Sequence, residues 1–221
     1  MPGMMTQAIV LALLALSPFL VMILTSYIKI IVTLSLLRNA VGVQQAPPNA
    51  VLNGIALIMS LYVMFPVGYQ MVQAAQPFIQ GAPAELFSAN SATTIVDALS
   101  AAKEPLRHFL EANTSASHQQ SFLSLAQRTF PPELRETLTL HDFMVVIPSF
   151  ITSQIRDAFE IGVLIYLPFF VIDMVVSNIL LAMGMMMLSP MSIALPIKLL
   201  LLVSLDGWTT LIQGLVLTFK Y

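Results

Sequence analysis

The sequence predicts an all-α, membrane-associated protein: two long kinked helical hairpins with a small polar helical insert between them. Three observations predict it. Apolar types make up 57% of the 221 residues, against roughly 45–50% in a soluble domain. With a mean hydropathy of +0.87, that is more apolar surface than a soluble fold of this size can hide. Charged residues are only 9%, against about 25% in soluble domains. The charges are also segregated: outside the stretch Glu85 to Glu160 the chain carries only Lys29, Arg38, Asp173, Lys198, Asp206 and Lys220. These numbers exclude a soluble cytosolic enzyme and a disordered chain. A formal net charge of −2 without a basic patch excludes a nucleic-acid binder.

The organisation reads as 1–76, a first apolar hairpin; 77–153, a polar helical insert; and 154–221, a second apolar hairpin. The run Ala8 to Leu37 exceeds the ~30 Å hydrocarbon core at about 1.5 Å per residue, and Ser17-Pro18 is expected to kink it. The segment 1–25 is expected to be retained. Its first residues carry no Lys or Arg, the apolar run is too long for a signal peptide, and Leu24-Thr25-Ser26 is a poor cleavage site. Gly42 to Asn49 reads as a tight polar turn. The uncharged run Val51 to Gln76 completes the hairpin, with Pro66 and Gly68 expected to bend it. In the insert, helices are expected over Thr93 to Leu110, His118 to Thr129 and Leu134 to Leu138, with Pro131-Pro132 as the break between the last two. Asn113-Thr114-Ser115 fits a glycosylation triplet that is common by chance, and His108, His118 and His141 read as solvated surface residues. The third run, Ile161 to Leu188, and the fourth, Ile193 to Phe219, form the second hairpin around Gly184 to Pro190. Lys29 and Arg38 flank the first turn and Lys198 the second, which places both turns on the cytoplasmic side and the insert outside; Lys220 dissents.

No HExxH, GxSxG or P-loop pattern occurs, and the chain has no cysteine, which removes disulfides, thiol catalysis and cysteine metal sites. Asp173 and Asp206 lack the glycine-flanked aspartate of an intramembrane aspartyl protease. No enzyme activity, cofactor or metal is expected. Asp173 costs at least about 2.5–3.5 kcal/mol in an apolar helix, so it should face protein or water. With Ser177 and Asn178 it gives the third helix a polar stripe, and Lys198 and Asp206 mark the fourth. Two readings stand: a proton path or substrate-facing pore, and a polar network joining helices or subunits. The second is favoured, because such groups usually pair. The run Met183-Gly184-Met185-Met186-Met187 also has two readings. Repeated in several copies, it would form a soft apolar ring that seals a pore or blocks ions by dewetting; the alternative is ordinary core filling at a hairpin tip.

Three stretches carry a family resemblance. They are Ser35-Leu36-Leu37-Arg38-Asn39-Ala40 with Gln44-Gln45-Ala46-Pro47-Pro48-Asn49; Pro148-Ser149-Phe150, Thr152-Ser153-Gln154-Ile155 and Ala158-Phe159-Glu160-Ile161-Gly162; and Pro168-Phe169, Ile172-Asp173, Ser177 and Met183 to Pro190, continuing into Leu205-Asp206-Gly207-Trp208. Nearly the whole chain resembles the FliP/SctR family of type III secretion export-gate proteins, with Ser149 standing where the family usually has Ala. The resemblance implies a homopentamer in the bacterial inner membrane, largely within the basal body. It implies joining S-, T-, U- and V-type export subunits and passing unfolded secreted proteins. It also implies that Met183, Met185, Met186 and Met187 form a gasket and that Asp173, Lys198 and Asp206 make contacts between helices or subunits. Arg38, Gln44, Gln45, Pro47 and Pro48 would form the cytoplasmic turn. A start directly at the first helix favours the virulence injectisome branch over the flagellar one. The competing functions are a membrane ion or solute transporter using Asp173, and a purely structural assembly nucleus.

Overall fold

A computed structural model describes residues 11, 15–16, 18–43, 46–80, 89–185 and 187–221. Every regular element among them is helical: α1 (Pro18–Leu24), α2 (Tyr27–Val41), α3 (Asn49–Gln80), α4 (Ala89–Ala112), α5 (Ala116–Thr129), α6 (Pro132–Arg135), α7 (Phe143–Ala182), α8 (Pro190–Ser204) and α9 (Gly207–Leu217). The spans Asn49–Phe78 and Phe143–Ala182 are each long and apolar enough to cross a membrane, and the pairs α1 with α2 and α8 with α9 qualify when each is taken together.

Three boundaries differ from the sequence expectation, and the kink expected at Ser17-Pro18 lies at the edge of the described residues. Ser17 lies outside the described residues; the described break in the first run falls at Thr25–Ser26, where the Thr25 hydroxyl donates to the Val21 carbonyl at 2.5 Å and takes up a helical acceptor. The expected helix 134–138 is a single turn, α6, because the chain then enters the Thr139–Asp142 turn, where the Asp142 carboxylate accepts from the Thr139 amide at 2.6 Å. The third run begins not at Ile161 but at Phe143, and α7 is 40 residues long. Finally, the fourth run is two helices bent by 60°, with Asp206 at the break rather than inside a helix.

The described chain forms two compact units: one contains 61–154 and 219–221, the other 26–60 and 155–218. In the first, the side chains of Phe109 and Phe150 are fully buried with ring centroids 6.1 Å apart, and Phe109 also stacks on Phe219 at 6.3 Å. The early turns of α7 belong here, and their polar residues explain why hydropathy missed them. Ser149, Ser153 and Gln154 are buried. The Gln154 side-chain amide donates to the Asn113 carbonyl at 2.8 Å, and the Ser115 amide donates to the Ser153 hydroxyl at 3.0 Å. This stretch is an amphipathic helix that turns polar groups toward polar neighbours.

In the second unit, Leu37, Ala40 and Val41 of α2 pack with Phe169 of α7 and Leu202 of α8, while Val176 and Leu180 pack with Ala194. Helices α2 and α7 approach closely at Gly162, where a Cβ would collide with the Leu36 side chain.

Gly162→Ala is therefore expected to destabilise the chain by about 1–3 kcal/mol, the usual cost of overpacking. Adding Leu36→Ala should recover part of the loss, read as the thermal unfolding midpoint of detergent-solubilised protein; no recovery would remove this contact as the cause. A second expectation concerns Asp142, whose carboxyl is held below the usual range chiefly by the Thr139 amide, with its hydroxyl assisting. A depressed folded pKa stabilises above the unfolded value, near 3.9, and the contribution fades as pH falls through the folded value. The stability difference between the natural chain and Asp142→Asn should be flat above about pH 5 and shrink below about pH 4. A difference that grows on acidification would contradict it.

Candidate functional site

Two features in the second unit bring most of the singled-out residues together: a lysine junction and a methionine loop. Lys198 lies on α8 with its side chain 7% exposed. Its ammonium donates to the Asp173 carboxylate of α7 at 2.7 Å and to the carbonyl of Ala40, in the last turn of α2, at 3.1 Å. Three helices thus meet at one cation. The Ala40 carbonyl is one that α2 leaves without an intrahelical donor at its C-terminus, where the partial negative charge of the helix end favours a cation. Asp173 is more open, at 39%, so its free oxygen can keep water. Ser177 sits one turn on from Asp173 on α7, half-buried.

Asp206 does not join this group. It occupies the left-handed region at φ 47°, exposed, and its carboxylate accepts from the Thr209 hydroxyl at 2.8 Å. It redirects the chain between α8 and α9, a conformation that aspartate tolerates better than most residues. Gly207 follows it, where a Cβ would press on the Leu202 side chain and carbonyl.

The loop from α7 to α8 begins with a Schellman motif. The Gly184 amide donates to the Leu181 carbonyl and the Met185 amide to the Leu180 carbonyl, both at 3.0 Å, with Gly184 at φ 71°. A side chain at Gly184 would be strained there, since this region penalises Cβ. The motif ends α7 abruptly and leaves the methionines outside it. Met183 is 63% exposed, Met185 43% and Met187 100%. Met186 lies outside the described residues. Across the loop, Pro190 opens α8, where its missing N–H costs no hydrogen bond.

At the other turn, the Arg38 guanidinium donates to the Pro47 carbonyl at 3.2 Å and to the Asn49 side chain at 2.6 Å, tying the end of α2 to the start of α3. Pro48 and Met191 line an open cleft with Arg38, Asn39 and Asn49. Gln44 and Gln45 lie outside the described residues.

Several residues read as incidental hold the structure. Lys29, taken as a topology marker, is buried and lies 3.5 Å from Asp157. His118, read as a solvated side chain, is half-buried, with Nδ1 2.7 Å from the Ser153 hydroxyl. Asn113, set aside as a chance triplet, clasps the backbone of Lys220: its Nδ2 donates to the carbonyl at 2.7 Å and its Oδ1 accepts from the amide at 2.9 Å. Nothing local in the sequence signals a contact across 107 positions. Among the described residues no group of three or more His, Cys, Asp or Glu could hold a metal ion.

The junction predicts an asymmetry. Asp173→Asn leaves a buried ammonium with a weaker partner, and removing one member of a buried pair costs about 3–5 kcal/mol. Lys198→Met leaves a carboxylate that water can reach, so its cost should be the smaller of the two. Thermal unfolding midpoints of the two solubilised variants decide the order; equal losses, or the reverse order, would refute the accounting.

Residues 10–215 match the FliP family. The chain is 45% identical to the hypersensitivity response secretion protein HrcR of Ralstonia nicotianae, covering 99% of this chain and 97% of that one. It is 46% identical to the Yop proteins translocation protein R of Yersinia pestis, over 99% and 98% of the two chains. It is 40% identical to the virulence protein YscR of Salmonella typhimurium, over 96% and 94%. On a family match that covers almost its full length and on relatives this similar, the chain belongs to the FliP family.

Proposed function

We propose that this chain is a membrane subunit of a type III protein export apparatus, and that copies of it, joined by other apparatus subunits, build a pore for unfolded secreted proteins. Membership of the FliP family supports the export role, as do relatives named for secretion and translocation. In this reading the pore sits in the bacterial inner membrane with no catalytic step of its own. The large exposed apolar area of α3 and α7 suits helices that face lipid or sister subunits.

The observation that carries the pore reading is the methionine loop. Met183, Met185 and Met187 project from a sharply terminated helix with little of this chain packed on them. An unbranched thioether side chain adapts to irregular apolar surfaces. A ring of such loops closes on itself at rest, excludes ions by dewetting, and re-forms around a passing chain of any sequence. Met186 completes the run in this proposal.

Replacing Met183, Met185, Met186 and Met187 together with Ala is expected to raise the ion conductance of the reconstituted closed complex at least several-fold while leaving its assembly intact. An unchanged conductance in an assembled complex would remove the gasket role.

A further inference from the structure

Four of the 14 methionines fall within positions 183–187, and the described ones are open: Met187 is fully exposed, and Met183 and Met185 are exposed with it. The methionines of α3, Met59, Met64 and Met71, are half-buried instead. A thioether sulfur carries a lone pair that attacks a peroxide oxygen, so oxidation requires only that the oxidant reach the sulfur. Hydrogen peroxide is small and uncharged, and side chains along a water path meet it first.

The bonds that shape the loop do not involve these sulfurs. The amides of Gly184, Met185, Leu188 and Ser192 donate to the carbonyls of Leu181, Leu180, Met185 and Ser189. Gly184 supplies the left-handed turn, with open space on the side where a Cβ would stand. An oxygen added to an exposed sulfur here displaces no packed neighbour and breaks none of these bonds. In a core the same oxygen disrupts packing. In this loop it changes the lining and leaves the path of the chain as it was.

The change in lining is large. A thioether is a weak acceptor, so a ring of them gives water little to hold. The S–O bond of a sulfoxide is strongly dipolar, and its oxygen is a good acceptor. A hydrophobic constriction blocks ions by dewetting, and sulfoxides give water partners inside the constriction.

We propose that the methionine loop is a reversible oxidation site that sets how tightly the pore closes. Hydrogen peroxide transfers one oxygen to the sulfur of Met183, Met185 or Met187. The O–O bond breaks and an S–O bond forms; the sulfur gives up two electrons, and the peroxide leaves as water. Methionine sulfoxide reductases reverse the step, with two electrons from a dithiol restoring the thioether and the oxygen leaving as water. The inference rests on the pore reading above, since the sulfoxides act only where several loops meet around a channel.

The test uses the assembled complex, reconstituted in planar bilayers and treated with hydrogen peroxide. Mass spectrometry of the peptide spanning 183–187 should show added oxygen. The closed-state ion conductance should rise about threefold or more as the constriction wets, and fall back when both stereospecific methionine sulfoxide reductases and dithiothreitol are added. Met183→Leu, Met185→Leu, Met186→Leu and Met187→Leu combined keep the loop apolar and remove every sulfur from it. That complex should show no rise over its own untreated value. Met144→Leu removes an exposed methionine at the start of α7, and its complex should respond as the natural one does. A loop that takes up no oxygen, an oxidised loop with unchanged conductance, or a rise that persists in the combined leucine substitution overturns the oxidation site. If the alanine substitutions described above leak and the oxidised natural complex does not, only this inference fails. If the alanine substitutions do not leak, the gasket reading fails and this inference with it.

Discussion

The second unit depends on one buried ammonium. Lys198 has little access to water at 7% side-chain exposure, and protein accepts from two of its three N–H donors: the Asp173 carboxylate and the Ala40 carbonyl. Apolar packing holds α2, α7 and α8 together, but such packing tolerates sliding, and lipid provides no hydrophobic drive between helices. A charge with two fixed acceptors does not tolerate it. Leu37, Ala40, Val41, Phe169 and Leu202 form the packed cluster that joins the same three helices. A polar group that is costly in isolation here gives specificity to an otherwise greasy interface, the best-attested use of buried charge.

The fold class was legible because hydropathy and charge segregation report solvent directly. The long apolar runs could be read directly, as could the connections at Arg38–Pro47 and Gly184–Pro190. Boundaries were legible only where local chemistry fixes them. The Schellman end of α7 needs Gly184, and that glycine is visible. The start of α7 was missed because Ser149, Ser153 and Gln154 look like loop residues to a hydropathy scale, whereas in the structure they are the buried polar face of a helix. Asp206 was misplaced for a related reason: a single charge in an apolar run carries no mark to distinguish a membrane-buried group from one that breaks the helix. Among the candidate site residues, Asp173 and Lys198 could be named but not paired from sequence. They are 25 positions apart with a loop between them, and only folding shows that both meet Ala40.

At about 1.5 Å per residue, the 40 residues of α7 extend about 60 Å, twice the hydrocarbon thickness. One helix therefore meets two environments. Positions 161–182 alone cover about 33 Å, a bilayer's worth of Leu, Ile, Phe and Val. Positions 143–160 carry the polar residues that bond to the insert. A composition that looks like two domains belongs to one continuous helical segment with two chemistries.

The clasp of Asn113 on Lys220 bears on the order in which this protein is made. Residues 61–154 are synthesised first, yet the ring of Phe109 gains its stacking partner, and Asn113 its backbone partner, only from 219–221. The insert therefore waits, with an aromatic face uncovered, while 155–218 are translated and placed. Its completion reports that the second apolar hairpin has been made, so a chain truncated within α8 or α9 carries an unfinished insert as the visible mark of its incompleteness.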